Sequence, residues 1–91
     1  MVQFYKANNK RNKYVAVFDD GSHTYFGAIR YGDFTTHQNE QRKKAYLARH
    51  RKNEDWTDPK SAGALSRWIL WNKPTIEESI LDYLQRFNMH L

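Results

Sequence analysis

The chain has 91 residues, with 15 Lys and Arg against 10 Asp and Glu and a formal net charge of +5. That length suits one small domain with a shared core rather than two independent ones. The absence of cysteine excludes disulfide staples and thiolate metal sites. No apolar run approaches the roughly 20 residues that cross a bilayer, so no membrane insertion is expected.

The N-terminal stretch MVQFYKANNKRNKY carries no continuous apolar segment, and a secretory signal peptide is not expected from it. Residues 1–12 read as an edge strand, centred on VQFY, or as a mobile arm. Residues 13–29 read as a β-hairpin. KYVAVF and HTYFGAI are rich in aromatic and β-branched residues, and Asp19, Asp20, Gly21 and Ser22 separate them. Gly21 accepts the positive φ of a tight turn freely, and Asp20 tolerates it better than most residues. Along KYVAVF, Tyr14, Ala16 and Phe18 share one face and Val15 and Val17 the other. One face is expected to pack on helices and the other to be partly covered by the terminal segments.

Residues 39–52, NEQRKKAYLARHRK, contain no Gly or Pro and read as a basic helix capped by Asn39 or Thr36. Tyr46 and His50, at i and i+4, with Leu47 beside them, supply its thin apolar contact. Residues 59–71 read as a Trp-rich helix started by Asp58-Pro59, with Ala62, Leu65, Trp68 and Ile69 as its buried stripe. Residues 75–87 read as an amphipathic helix. Thr75 and Glu78 form a T-x-x-E capping box, and Ile76, Ile80, Leu84 and Phe87 form the apolar face, with Leu81 and Tyr83 at its margins. The element order predicts an α+β domain, a small antiparallel sheet of two or three strands followed by about three helices.

Several segments together, YFGAIRYGDFTTH, R-x3-YLARH, EDWTDP and AGALSRWILWNKPT, resemble a family of short, largely uncharacterised proteins encoded by large DNA viruses of eukaryotes. Ala64 and Leu65 depart from the bulkier aromatic residues of that pattern. The resemblance implies a viral protein, located in the virion or inside the infected host cell. It supplies no active site.

Charge is distributed unevenly. Residues 1–52 carry eleven Lys and Arg against four Asp and Glu, whereas residues 53–91 carry four against six. Such a polarised chain attracts polyanions. The predicted nucleic-acid-binding residues are Lys10, Arg11, Lys13, Arg30, Arg42, Lys43, Lys44, Arg49, Arg51 and Lys52. Lys44, Arg51 and Lys52 are expected in the main phosphate-contacting surface, and Tyr5, Tyr25 or Tyr31 is expected to stack on bases where exposed. No zinc-finger, basic-zipper or RNP motif is present, so contact with DNA or RNA is expected to be electrostatic rather than base-reading.

Two other readings compete. SRWILW and the terminal NMHL supply anchors for a virion structural or assembly protein that contacts other virion proteins. A metal-dependent nuclease would draw on His23, His37, His50, Asp33, Glu40, Glu54 and Asp55. Their spacings match no metal motif, and no cofactor or metal is expected.

Overall fold

The computed structural model describes residues 1–91. It is an α+β domain in which a three-stranded antiparallel sheet, in the order β1-β2-β3, precedes four helices. The strands are β1 (Val2–Lys6), β2 (Asn12–Phe18) and β3 (His23–Ala28). The register sets Phe4 opposite Ala16 and Tyr5 opposite Val15 on one side, and Phe26 opposite Tyr14 and Tyr25 opposite Val15 on the other. Because side chains alternate along a strand, Val2, Phe4, Tyr14, Ala16, Phe18 and Phe26 share the face that meets the helices.

The β2–β3 loop is wider than a two-residue turn. Gly21 alone takes a positive φ, +85°, while Asp20 bends the chain by accepting the Ser22 amide on its carboxylate at 2.9 Å. The outer sheet face carries Gln3, Tyr5, Val15, Val17, His23 and Tyr25, of which Val15 alone is buried. Residues after the last helix run beside β1, where the Val2 amide donates to the His90 carbonyl at 2.9 Å. That hydrogen bond blunts an exposed strand edge.

A short helix that the sequence pattern does not predict, α1 (Phe34–His37), follows the sheet. Asp33 starts it by accepting the Thr35 amide at 2.9 Å, while the Thr36 hydroxyl accepts the Asp33 amide at 2.9 Å. The basic helix α2 (Glu40–His50) is shorter than residues 39–52. Asn39 is its N-cap and receives the amides of Gln41 and Arg42.

The Trp-rich helix starts three residues later than expected. Asp58 and Pro59 lie in a turn, and Ser61 caps α3 (Ala62–Leu65) by accepting the Ala64 amide at 3.1 Å. The segment continues as a π-helical turn, Ser66–Leu70, closed by Trp71 N–H donating to Ser66 O at 3.0 Å. The wider turn rotates the side chains that follow it. Ala64, Leu65, Ile69 and Leu70 are buried, Ala62 is exposed, and Trp68 is only half-buried. Two guanidinium groups lie over the Trp68 ring, Arg67 at 4.1 Å and Arg86 at 3.7 Å from its centre.

The last helix, α4 (Ile76–Arg86), is capped by Thr75, which accepts the Glu78 amide at 3.2 Å and donates its hydroxyl to the Glu78 carboxylate at 2.9 Å. Tyr83, expected at the margin, is fully buried at the centre of the core, and its hydroxyl donates to Pro59 O at 2.7 Å. Leu81 faces solvent. The core joins Val2, Ala16, Phe18 and Phe26 of the sheet to Leu65, Ile69, Leu70, Tyr83 and Leu84 of the helices. No helix is long and apolar enough to cross a membrane.

Candidate functional site

A cleft of about 710 Å³ opens where β2 and β3 face α2 and the π-helical turn. Its sheet side presents Arg11, Lys13 and Tyr25, its α2 side Arg42, Tyr46, Arg49 and His50, and its floor Leu70 and Trp71. Gly27 brings the sheet and the π-helical turn together. Its φ is +82°, and a Cβ there would lie 2.7 Å from Leu70 Cδ1.

The α2 wall follows from helical spacing. Arg42, Tyr46 and Arg49 stand at i, i+4 and i+7 and share one face. Lys44 and Arg51 lie two residues beyond Arg42 and Arg49, hence about 200° round the helix. They are exposed and do not line the cleft. The cation run is thus split by the helix into a cleft-facing pair and a solvent-facing pair.

An aromatic column supports this wall. Tyr46 stacks on Trp71 at 4.2 Å between ring centres and on His50 at 4.0 Å, and His37 lies 5.4 Å from Trp71. Burial pushes the Tyr46 phenol up to about 12, with Glu54 adding to the effect, so at neutral pH it stays protonated. Glu54 orients the column's end. One carboxylate oxygen accepts His50 Nδ1–H at 2.9 Å and the other accepts Trp56 Nε1–H at 2.9 Å. Gly63 leaves room for this arrangement, since a Cβ there would sit 3.0 Å from Glu54 Cδ.

The ten predicted cations have different fates. Lys13 donates to the buried Asp33 carboxylate at 2.5 Å and so serves as an internal brace. Lys43 reaches inward, donating to Asn72 O at 2.7 Å with its ammonium 4.7 Å from the Phe34 ring centre. Burial lowers its pKa below the ordinary lysine value. Arg11, Arg42 and Arg49 are exposed on the cleft and make no ion pair. Lys10, Arg30, Lys44, Arg51 and Lys52 are exposed outside its lining, also without ion pairs. The three tyrosines suggested as stacking groups, Tyr5, Tyr25 and Tyr31, are 51%, 38% and 73% exposed.

The nuclease candidates are divided: Asp33, His37, His50 and Glu54 line the cleft, whereas His23, Glu40 and Asp55 lie outside its lining. Asp33 is occupied by Lys13 and by the amide and hydroxyl of Thr35. His37 Nδ1 accepts the Asn39 amide, His23 Nδ1 contacts Gly21 O, and Asp55 accepts the Thr57 amide. No group of three or more His, Asp or Glu side chains is placed to hold a metal ion.

Sequence reasoning missed Trp71 and Gly63 as parts of this site. The i,i+4 pair Tyr46–His50 was the one available signal, and on folding His50 also bonds Glu54 at 2.9 Å.

The model of a family of unknown function, DUF5754, matches residues 2–50, which contain the whole sheet, α1 and α2. Comparison with curated proteins and with solved structures found no match.

Proposed function

The chain belongs to this family of unknown function, and we propose that it is a small non-catalytic protein that binds nucleic acid through phosphate contacts in the cleft. The observation carrying this reading is the convergence of Arg11, Arg42 and Arg49, without carboxylate partners, on one aromatic-lined cleft. Guanidinium groups left free of ion pairs offer forked donors to phosphate oxygens. Both carboxylates lining the cleft are already engaged, Asp33 by Lys13 and Glu54 by His50 and Trp56. Their repulsion of an anion is correspondingly reduced. The exposed cations outside the cleft extend the positive field and steer the ligand toward it. In the setting implied by the viral resemblance, the ligand is viral DNA or RNA.

Fluorescence anisotropy with labelled DNA and RNA at two salt concentrations tests the proposal. Binding whose affinity falls steeply with salt is expected, because each neutralised phosphate releases condensed counterions. Absence of binding to either polymer at low salt overturns the reading and favours an assembly role through protein contacts.

A further inference from the structure

The geometry points to a preference for single strands, with the outer face of the sheet acting as a platform for unpaired bases; this rests on the nucleic-acid reading above. Tyr5 and Tyr25 flank Val15 in register on that face, at 51% and 38% exposure. Each belongs to a strand adjacent to β2, so the two rings rise from backbones about 10 Å apart. The helices α3 and α4 pack on the opposite face, around Phe18, Phe26, Leu65 and Tyr83, while on this face Tyr5 and Tyr25 stand exposed on either side of the buried Val15.

Charge complementarity identifies the occupant. The face itself, Gln3, Tyr5, Val15, Val17, His23 and Tyr25, contains no carboxylate. The nearby acidic side chains at the hairpin tip are neutralised, Asp19 by the N-terminal ammonium at 2.8 Å and Asp20 by Lys60 at 2.6 Å. At the other end of the sheet the β1–β2 loop presents Lys10 and Arg11, both exposed. Tyr25 and Arg11 also line the cleft, so the platform and the cleft form one continuous surface. A strand lying on it can place bases on the tyrosine rings and lead its phosphates past Arg11 toward Arg42 and Arg49. Every base has a π-face, so such stacking is tolerant of sequence. A duplex keeps its bases stacked on each other and cannot offer them to isolated rings.

The test compares a labelled single-stranded oligothymidine with its duplex, using the parent chain and the variant Tyr5→Ala/Tyr25→Ala. The parent is expected to bind the single strand at least about tenfold more tightly. The variant is expected to lose about five- to 150-fold in single-strand affinity per tyrosine, a distinctly larger loss than it shows on the duplex. Tyr5→Phe/Tyr25→Phe, which retains both rings, restores single-strand binding, and this separates stacking from a general loss of fold. Equal parent affinities for single strand and duplex, or unchanged single-strand binding by the folded alanine variant, overturn the platform while salt-dependent binding keeps the broader proposal standing. No binding of either polymer at low salt overturns both.

Discussion

The rings of Tyr46 and Trp71 lie 4.2 Å apart and 6° from parallel, joining the basic helix to the end of the π-helical turn. Together with His50 on the other side of Tyr46, this stack sets the angle at which α2 stands over the sheet. Replacing Trp71 with Ala removes a large half-buried aromatic and the stacking beyond its buried area. The expected loss is about 2–4 kcal/mol in urea unfolding. Cleft binding should weaken as well, because Arg42 and Arg49 are placed by the helix that Tyr46 anchors. An unchanged denaturation midpoint would show that the stack adds nothing to the interface.

The two faces of α2 give a matched pair of variants. Arg42→Gln/Arg49→Gln is expected to weaken nucleic-acid binding across sequences and to reduce the salt slope by roughly 0.7–0.9 for each phosphate no longer neutralised. Lys44→Gln/Arg51→Gln removes the same formal charge from the same helix but from outside the cleft lining. Its effect should be distinctly smaller. Anisotropy titrations of both, with circular dichroism to confirm folding, decide whether position or charge alone governs binding.

Alkaline pH should destabilise the fold in a defined window. Burial raises the Tyr46 phenol from 10.0 to about 12 and raises Tyr14 and Tyr83 in the same direction. The native state holds these protons more tightly than the unfolded chain. Their contribution is therefore complete below pH 10 and is lost as pH rises toward the folded value of about 12. Urea unfolding measured across that interval should show falling stability, and Tyr46→Phe should make the fall less steep. An equally steep fall in the Phe variant would assign the effect to the other two tyrosines.

Two glycines separate backbone strain from crowding. Gly21 and Gly27 have φ values of +85° and +82°, but a Cβ at Gly21 meets nothing within 4 Å while one at Gly27 meets Leu70 at 2.7 Å. Gly21→Ala is expected to cost about 1–2 kcal/mol, the left-handed penalty alone. Gly27→Ala adds overpacking of a buried leucine and is expected to cost about 1–3 kcal/mol more. Thermal unfolding of the two proteins ranks them directly. A reversed order would mean that Leu70 moves aside at little cost.

Elements with local causes were legible in the amino-acid sequence. Alternation in KYVAVF and HTYFGAI, separated by Asp-Gly, specified the hairpin. Asn39 and Thr75 marked the starts of two helices because capping joins residues two or three apart. Features that depend on distant partners emerged only on folding. Whether Lys43 is a surface cation or an inward-turned donor depends on Asn72, and whether Lys13 is available depends on Asp33. The start of the Trp-rich helix moved from Pro59 to Ala62 because Ser61 supplies the cap, and the π-helical turn then shifted the buried stripe. The division of one basic run into cleft-facing and solvent-facing pairs needed both kinds of information. Helical spacing separates Arg42 and Arg49 from Lys44 and Arg51, but only the packing of Tyr46 on Trp71 turns the first pair toward the sheet.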